Sequence, residues 1–334
     1  MRTALVTGSA GFIGFHLSDL LIGQGWRVVG VDNLSDYYDP ALKRARHARL
    51  DGPAFVPVIG DVAEPGRLTA LMEAHRPEAV IHLAAQAGVR HSIDAPRSYV
   101  EANLLGTYEL LEAARAHPPR HMLLASTSSV YGAETAMPYR ETMKTDTQMS
   151  FYAATKKAGE AMAHSYAHLY GLPITLFRFF TVYGPWGRPD MALFKFVRAI
   201  RDGRPIDVYN HGRMRRDFTY VSDLVDGLAG LIDAVPEAGR PVCEADSLSP
   251  VAPHRVVNIG NGSPVELTAF IDAIEAAMGQ AAMRNLMDIQ PGDVPATWAD
   301  TTLIEALLGR PLPRTPVAEG VRRFVDWHRD HYRD

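Results

Sequence analysis

Near its beginning the chain joins a short apolar run to a glycine-rich turn and then to a helical pattern. Residues 3–6 form an apolar run typical of a buried strand, and the helical pattern covers residues 12–22. Gly8 and Gly11 lie in the turn between the two, and Gly14 lies within the helical pattern. The spacing of the three glycines differs from that of the commoner dehydrogenase fingerprint. Strand, turn and helix in this order are the context that a dinucleotide-binding site requires. We predict that Gly8 makes the tight turn, Gly11 admits a pyrophosphate and Gly14 lets the helix pack, with the phosphates at the helix N-terminus.

The end of the second strand indicates which dinucleotide is bound. An apolar strand over residues 27–31 ends at Asp32, which is followed by Asn33. A carboxylate at this place accepts hydrogen bonds from an adenosine ribose and repels a 2′-phosphate, so NAD is favoured over NADP. A third strand near residues 55–59 stops before Asp61. Asp61 either meets the adenine amino group or caps the following helix, and the sequence leaves both interpretations open.

The remaining strands of the first half predict the fold class. A fourth strand ends at Leu83 and runs into small residues, 84–88, that allow close approach of a cofactor. Asn103 lies in a helical stretch from about residue 97 to 116, where we expect it to touch the next strand and to serve structure rather than chemistry. Strands that alternate with helices predict an α/β protein with a parallel, doubly wound sheet of the Rossmann type.

A tyrosine and a lysine at the start of a later helix are the candidate chemical groups. Tyr152 and Lys156 have the i, i+4 spacing that places both on one face of a helix. In a cleft, the ammonium would lower the pKa of the phenol and suit it to proton transfer. By itself the spacing is more typical of an ordinary helix with an exposed lysine. Thr127, in a hydroxyl cluster at the end of the preceding strand, is expected to face the substrate, although such a cluster is also common in polar loops. The residues expected around the cofactor are Gly8, Gly11, Phe12, Ile13, Gly14, Asp32, Asn33, Asp61, Val62, Leu83, Ala84, Ala85, Gln86, Asn103, Tyr152 and Lys156.

Proline and glycine residues after the sixth strand indicate a second, smaller substrate-binding domain. Pro185, Gly187 and Pro189 interrupt regular structure. We expect residues 1–180 with about 217–260 to form the NAD-binding Rossmann domain. The substrate-binding domain is expected to contain residues from about 181 to 216 and from 261 to 334.

Three arginines of the second half are candidates for a phosphate contact. Arg213, Arg215 and Arg216 precede Asp217, and a planar guanidinium suits bidentate contact with phosphate. One of the three is expected to hold a diphosphate. An ion pair with Asp217 or Asp223 is the alternative.

Charge and composition argue against several classes of partner. The 334 residues carry a net charge of −4 and no long basic run, so we expect no nucleic-acid or membrane partner. The one compact basic cluster, residues 43–49, is interpreted as a solvated helix face. No apolar run reaches about 18 residues, the first strand leaves no room for a signal peptide, and the single cysteine, Cys243, fits a reducing compartment. We expect a cytoplasmic protein, and no metal, since His328 and His331 have no third ligand nearby.

Together these motifs resemble the extended short-chain dehydrogenases/reductases that act on nucleotide sugars. The shared features are the glycine turn, Asp32, the hydroxyls of residues 126–129, the pair Tyr152 and Lys156, and the phrase Arg-Asp-Phe-Thr-Tyr at residues 216–220. The segments that are more narrowly similar to UDP-glucuronate 4-epimerases are 33–39, 180–192 and 290–297.

The resemblance implies tightly held NAD and a UDP-sugar that is oxidised at C4 and then reduced from its other face. Tyr152 would take the proton of the C4′ hydroxyl, directly or through Thr127, and Lys156 would favour the phenolate. The resemblance also implies a homodimer built from the helices that contain Asn103 and Tyr152. The expected substrate contacts are Thr127, Ser128, Ser129, Tyr152, Thr181, Arg188, Arg216 and Asp293.

Alternatives within and outside the family stay open. Nucleotide-sugar 4,6-dehydratases carry an Asp-Glu pair where this chain has Ser128 and Ser129, so elimination would lack its acid and base. A UDP-glucuronate decarboxylase is harder to separate because it would form the same 4-keto uronic acid, and a UDP-galactose 4-epimerase is a further alternative. From another class comes a non-catalytic, nucleotide-sensing protein, although such proteins typically lack the tyrosine or the lysine.

Overall fold

The structure, a computed structural model, describes residues 1–290 and 294–332. The strands are β1 (Thr3–Thr7), β2 (Arg27–Asp32), β3 (Phe55–Ile59), β4 (Ala79–His82), β5 (His121–Thr127), β6 (Ile174–Phe179), β7 (Thr181–Tyr183), β8 (Ile206–Val208), β9 (Arg215–Tyr220), β10 (His254–Ile259), β11 (Pro264–Glu266), β12 (Arg284–Leu286) and β13 (Ala296–Thr297). The α-helices are α1 (Phe12–Gly23), α2 (Pro40–Leu50), α3 (Arg67–His75), α4 (His91–Asp94), α5 (Pro96–Tyr99), α6 (Gly106–Ala116), α7 (Phe151–Tyr170), α8 (Ala192–Arg201), α9 (Val221–Leu231), α10 (Leu267–Met278), α11 (Thr302–Leu308) and α12 (Val317–Tyr332). A π-helical turn, Val100–Leu105, precedes α6, and 3₁₀ segments cover Ser128–Tyr131 and Tyr209–Gly212. Within the described ranges, none of the helices has the length and apolar character needed to cross a membrane.

Seven parallel strands form the main sheet in the order β10-β6-β5-β4-β1-β2-β3. Its central strands are buried on both faces, which is why they are almost uninterrupted apolar runs. One apolar core lies between the sheet and α1 and α9, and a second lies on the opposite face under α3, α6 and α7. The prediction of a doubly wound Rossmann sheet is confirmed. The strand order reverses between β1 and β4, and the carboxyl ends of such strands border the crevice where ligands bind.

A smaller sheet forms the second part of the molecule. Strand β9 pairs with β7, β11 and β13, and a third apolar core joins these strands to α8, α10 and α12. In this core the rings of Phe218 and Phe270 stack with their centroids 3.9 Å apart. Helix α9, directly after β9, packs instead against α1 of the main sheet. The chain therefore crosses between the two sheets at the end of β9.

One buried carboxylate holds the loops of the smaller sheet together. Asp217 in β9 is fully buried, and its oxygens accept hydrogen bonds from the backbone N–H groups of Asn261 (2.6 Å), Gly262 (3.0 Å) and Ala299 (3.0 Å). The hydroxyl of Thr219 donates a further bond at 3.3 Å. Burial raises the pKa of Asp217, and these hydrogen bonds oppose the rise. The donors replace the hydration that a buried carboxylate has lost.

Candidate active site

The carboxyl ends of the central strands open into a large cleft. Its empty space, counted out to the open mouth, is about 1210 Å³. The residues expected around the cofactor that line it are Gly8, Gly11, Phe12, Ile13, Gly14, Asp32, Asn33, Asp61, Val62, Leu83, Ala84, Ala85, Gln86, Tyr152 and Lys156. The cleft is also lined by Ser35, Tyr37, Tyr38, Lys43, Ser126 and Arg188. Asn103 stands behind the wall of the cleft, and Asp293 lies outside the described residues.

The glycine turn has no room for side chains. Gly8 has a φ of +72°, and a Cβ there would lie 2.8 Å from the backbone nitrogen of Ala84. A Cβ on Gly14 would lie 2.0 Å from the carbonyl oxygen of Gly8, so α1 packs against the turn itself at this point. The N–H of Gly8 donates to the carbonyl of Val31 at 2.7 Å, which joins the turn to β2. The first residues of α1 consequently face the cleft, an arrangement that suits a phosphate.

Asp32 ends β2 with its carboxylate fixed by the backbone. Its Oδ2 accepts the N–H of Ala10 at 3.0 Å, and its Oδ1 accepts the N–H of Leu34 at 2.8 Å. Although the side chain lines the cleft, the residue is only 7% exposed. The carboxylate oxygens keep lone pairs for further donors, because each can accept more than one hydrogen bond. Asp32 is therefore a hydrogen-bond acceptor that the backbone holds in place at the edge of the cleft.

The position at which α3 begins distinguishes the two interpretations of Asp61, contact with an adenine amino group and capping of the following helix. Gly66, and not Asp61, immediately precedes that helix. The carboxylate of Asp61 accepts hydrogen bonds from the side-chain amide of Asn33 and the N–H of Ala63, both at 2.8 Å, and it lines the cleft. The helix-cap alternative is wrong, because the polypeptide makes a turn between β3 and α3. Contact of Asp61 with an adenine stays a prediction.

Asn103 joins the wall of the cleft to the helix that carries the tyrosine. Its Oδ1 accepts the N–H of Gln86 at 2.9 Å, and its Nδ2 donates to the carbonyl of Gln86 and to Oγ1 of Thr155, both at 3.0 Å. Thr155 in turn donates to the carbonyl of Tyr152 at 2.9 Å. Asn103 is buried within the π-helical turn. These contacts are structural, as expected, but the side chain bonds the segment after β4 and helix α7 rather than the next strand. A direct contact between Asn103 and a cofactor stays a prediction.

Tyr152 and Lys156 lie on the face of α7 that borders the cleft. The helix begins at Phe151 because the hydroxyl of Ser150 caps it and accepts the N–H of Ala153 at 3.1 Å. The i, i+4 spacing then brings the phenol and the ammonium to the same side, one turn apart. The cap and the spacing together place both groups at the carboxyl edge of the main sheet.

The electrostatic environment of the tyrosine differs from the expectation based on the pair alone. Burial raises the pKa of the Tyr152 phenol, while a hydrogen bond with Thr127 and the charge of Arg188 oppose the rise. Burial lowers the pKa of Lys156 to about 8, and the carboxylate of Glu160 opposes this change. The protein alone therefore does not lower the pKa of the phenol.

A buried ion pair supports Lys156 from the next turn of α7. Arg178 of β6 donates to the two oxygens of Glu160 at 2.9 and 2.8 Å, and the hydroxyl of Ser126 donates at 2.7 Å. Burial would raise the pKa of Glu160, but the hydrogen bonds and charge of Arg178 outweigh it and lower the pKa to about 2. Glu160 thus stays ionised beneath the cleft, where its charge favours the protonated form of Lys156.

The hydroxyl cluster at the end of β5 forms the start of a 3₁₀ segment. Oγ1 of Thr127 accepts the N–H of Ser129 at 3.2 Å and lies 3.3 Å from the hydroxyl oxygen of Ser129. Ser128 is the first residue of this segment. Thr181 begins β7 and lines an apolar cavity next to the cleft. The substrate contacts of these four side chains stay predictions.

Arg188 stands between the cleft and the adjoining apolar cavity and lines both. Its guanidinium donates to the two oxygens of Asp190 at 3.0 and 2.6 Å, and the hydroxyl of Tyr37 donates to Asp190 at 3.1 Å. The side chains of Arg188 and Asp190 are 23% and 26% exposed, so a ligand can reach the pair. A ligand carboxylate would have to compete with Asp190 for this guanidinium.

Comparison with known proteins assigns the family. The model of the NAD dependent epimerase/dehydratase family matches residues 4–243. The chain belongs to this family. A probable UDP-glucuronate 4-epimerase of Rhizobium meliloti (strain 1021) is 53% identical over 333 residues, which cover 98% of this chain and 97% of the relative. UDP-glucuronate 4-epimerase 3 of Arabidopsis thaliana is 44% identical over 335 residues, which cover 99% of this chain and 77% of the relative. Among solved structures, UDP-glucuronic acid 4-epimerase from Bacillus cereus in complex with UDP-glucuronic acid and NAD matches with a TM-score of 0.88 and 30% identity, over 99% of this chain and 100% of the other.

In this member of the epimerase/dehydratase family, the two arginines that begin β9 differ in their partners. Arg215 pairs with Glu266 at 3.1 Å, and Arg216 donates to the backbone carbonyls of Arg215 and Pro295 at 3.0 and 3.2 Å. The carboxylate of Asp217 is surrounded by backbone donors. Contact of Arg216 with a diphosphate stays a prediction.

Two basic residues of α2 are buried, which corrects the interpretation of residues 43–49 as a solvated face. Lys43 is 5% exposed and Arg46 is 0% exposed. The ammonium of Lys43 donates to the carbonyl and the hydroxyl of Ser35 at 2.7 and 2.8 Å. Burial of the Lys43 ammonium is possible because the oxygens of Ser35 replace its water. Helical periodicity alone does not reveal such partners.

The structure also adds aromatic residues that motif analysis did not place at the site. Tyr37 and Tyr38 line the cleft, and both belong to the segment 33–39 that resembles UDP-glucuronate 4-epimerases. The resemblance was therefore the signal that could have identified them. In the part of the chain that the structure describes, no group of three His, Cys, Asp or Glu side chains could hold a metal ion.

Proposed function

We propose that the protein interconverts UDP-glucuronate and UDP-galacturonate by epimerisation at C4, with NAD as its cofactor. The observation that carries this proposal is that Tyr152 and Lys156 border the same cleft as the glycine turn and Asp32. A proton-transfer group beside a dinucleotide site can support oxidation and reduction of a bound alcohol. The identity of the sugar rests on relatives named as UDP-glucuronate 4-epimerases, which match nearly the whole chain.

The residues of the cleft fit NAD. A Cβ at Gly8 or Gly14 would collide with the backbone of the turn, so only glycine leaves this surface open to a pyrophosphate at the start of α1. Asp32 offers a fixed carboxylate for ribose hydroxyls and would repel a 2′-phosphate. When bound, NAD supplies an electron acceptor and a positive charge.

Tyr152 accepts the proton of the C4′ hydroxyl during oxidation and returns it after reduction on the other face. Thr127, whose hydroxyl opposes the rise in the pKa of Tyr152, provides a route for this proton. Lys156 stabilises the phenolate by its charge, and Glu160 in turn favours the charged form of Lys156. Because the sugar leaves at its original oxidation level, these residues work as a closed cycle without net redox change.

The sugar carboxylate needs a restraint of its own. The 4-keto uronic acid is a β-keto acid, which loses CO₂ when the bond to its carboxylate aligns with the ketone π-system. We propose that Thr127, Ser128, Thr181 and Arg188 hold the carboxylate out of this alignment by hydrogen bonding. Support comes from the hydroxyls at the end of β5 and from the cavity that Thr181 and Arg188 both line.

Two variants test the restraint. Ser128→Ala and Thr181→Ala are expected to release more CO₂ and UDP-pentose per turnover, because the carboxylate gains freedom to rotate. Calorimetry would measure UDP-glucuronate affinity in parallel, so that loss of binding is separated from loss of restraint. Normal binding without additional CO₂ from either variant would rule out the assignment.

Product analysis tests the main proposal. The purified protein with its cofactor is incubated with UDP-glucuronate, and the products are separated by chromatography. UDP-galacturonate is expected, and Tyr152→Phe, which removes one oxygen atom, is the matched control. A UDP-pentose would indicate a decarboxylase, whereas turnover of UDP-glucose alone would indicate a UDP-galactose 4-epimerase. No turnover of either sugar would favour a non-catalytic nucleotide-sensing protein.

We further propose a division of the chain into two functional parts. Residues 1–180 with about 217–260 bind NAD, and residues from about 181 to 216 with 261–334 bind the nucleotide sugar. The pairing of β7 with β9 and the apolar core around α8, α10 and α12 support a separate second part. A cytoplasmic location stays a prediction that cell fractionation would test.

We also propose a homodimer formed through α6 and α7. Their outer surfaces, including the turn before α6, expose the large apolar side chains Leu105 (48%), Tyr108 (45%), Leu169 (64%) and Tyr170 (46%). Four exposed large apolar side chains on two helices that contact each other support a protein–protein contact on this side of the molecule. Light scattering is expected to give the dimer mass, and Tyr108→Glu is expected to shift it towards the monomer. A monomer mass for the wild type would contradict the proposal.

A further inference from the structure

Arg46 of α2 is a buried arginine that contacts both functional parts of the molecule. It is 0% exposed. Its Nη1 donates to the carbonyl of Ala10 and the hydroxyl of Tyr38, both at 2.8 Å. Its Nη2 donates to the carbonyls of Trp186 and Gly187, at 2.6 and 3.2 Å. Ala10 belongs to the glycine turn, whereas Trp186 and Gly187 belong to the loop after β7. One side chain thus joins the cofactor turn to a loop on the substrate side.

The acceptors of Arg46 are unusual for a buried charge. They are three carbonyls and one hydroxyl, none of which carries a formal charge. Its Nε has no hydrogen-bond partner within residues 1–290 and 294–332. A charge buried among dipoles keeps its stabilisation only while all these dipoles stay in place. The glycine turn and the loop after β7 are therefore fixed relative to each other by the same guanidinium.

The loop that Arg46 holds is the one that carries Arg188. Arg188 follows Gly187 directly and lines both the cleft and the apolar cavity. Tyr37 makes a second connection to this loop through its hydrogen bond to Asp190. Movement of Trp186 and Gly187 would therefore displace Arg188 from the site next to Tyr152.

We propose that Arg46 is a positioning residue that makes sugar binding depend on the cofactor turn. By holding the loop of residues 185–190 against the glycine turn, it sets Arg188 at the sugar site, and a bound cofactor reinforces the arrangement from the side of Ala10. The role assigned to the sugar in this inference rests on the proposed epimerase function. Arg46 does not contact the reacting atoms and acts through Arg188 and the turn.

Arg46→Lys tests this inference because it keeps the charge but cannot span two pairs of acceptors. We expect it to retain less than half of the wild-type NAD after gel filtration. With saturating NAD added, kcat should return to within about threefold of the wild type, while KM for UDP-glucuronate stays raised about tenfold or more. If Arg46 served stability alone, its substitution would lower Tm, and KM for UDP-glucuronate would not stay raised after kcat had recovered.

Arg255→Lys is the matched control. Arg255 is also buried, at 2% exposure, but it donates to the carboxylate of Asp246 at 2.8 and 3.0 Å and lines neither the cleft nor the apolar cavity. Its variant is expected to lower Tm and to leave NAD content and KM within about twofold of the wild type. Equal effects of the Arg46 and Arg255 variants on NAD content and KM would overturn the inference.

A second variant tests the positioning role of Arg46 if Arg46→Lys does not fold. Tyr38→Phe removes one acceptor of Arg46 and no charge, and we expect a KM raised about threefold with Tm unchanged. An unchanged KM and NAD content in this variant would then refute the positioning role. Failure of the epimerase proposal would be seen separately, in wild-type protein that does not convert UDP-glucuronate. NAD content, and KM for whichever UDP-sugar the wild type converts, would then test Arg46.

Discussion

Mild acid should destabilise this protein, because four histidines that are wholly or partly buried take up protons much more readily in the unfolded chain than in the folded protein. Burial is the largest cause in each case and lowers the pKa of His82 to about 3 and the pKa values of His16, His121 and His254 to about 4. In the unfolded chain these groups titrate near 6.5. The unfolded state therefore binds more protons between pH 6.5 and 4, and the free energy of unfolding falls as the pH drops through this range.

The size of the effect at pH 5 follows from these values. In the unfolded chain each histidine takes up its proton between pH 6.5 and 5, a range of roughly 1.5 pH units. This uptake lowers the free energy of unfolding by about 2 kcal/mol for each histidine and by about 8 kcal/mol for all four. Glu141 acts in the opposite direction, because burial raises its pKa to about 7. In the folded protein Glu141 takes up a proton at a higher pH than in the unfolded chain, and this adds about 3 kcal/mol to the free energy of unfolding between pH 7 and 5. The net loss of about 5 kcal/mol is comparable with the whole stability of an ordinary domain.

Urea unfolding followed by tryptophan fluorescence at pH 7 and pH 5, with matched cofactor content, measures this loss. His254→Leu is the informative variant, because the Nε2 of His254 has no hydrogen-bond partner in the described chain. It should reduce the difference between the two pH values by about 2 kcal/mol. His168→Gln, at an exposed position, is the control and should not change it. A wild-type stability at pH 5 within about 1 kcal/mol of that at pH 7 would refute the reasoning.

Three substitutions test the site more directly. Tyr152→Phe should lower turnover by about 10²- to 10⁴-fold in a product assay and leave NAD content unchanged, because it removes only the proton-transfer group; equal loss of NAD would point to a structural defect. Gly14→Ala places a Cβ about 2.0 Å from the carbonyl of Gly8, so calorimetry should show NAD affinity reduced more than tenfold, and tight binding would argue against the phosphate site. Glu160→Gln leaves Arg178 buried without its charge partner and should cost about 3–5 kcal/mol in urea unfolding. A loss below about 1 kcal/mol would show that water or another group compensates the arginine.

Local sequence signals predicted the elements whose causes are local. Helix α10 ends at Met278 because Gly279 adopts the left-handed conformation that stops a helix, and glycine is the residue that does so most readily. The strand, turn and helix around Gly8 likewise follow from residues close together in the sequence. The cleft they border could be predicted because parallel strands end at one edge of a sheet.

Contacts between distant segments were not predictable in the same way. Arg46 was interpreted as solvated because its helix is rich in charge, yet its acceptors lie in the glycine turn and in the loop after β7. The hydrogen bond that Tyr37 donates to Asp190, the partner of Arg188, likewise depends on how two loops meet. The pKa of Tyr152 rises for a related reason, since burial is a property of the assembled site and the spacing of two residues does not contain it.

The amide of Asn103 has a consequence for redesign of this protein. Because one side chain holds both Gln86 and Thr155, the cofactor-side wall and the start of the tyrosine helix share a single anchor. Both bonds to Gln86 use its backbone, so a substitution of residue 86 keeps the anchor, whereas a substitution of Asn103 releases the wall and Thr155 together. Libraries that reshape the wall can therefore vary residue 86 while they keep Asn103 and Thr155.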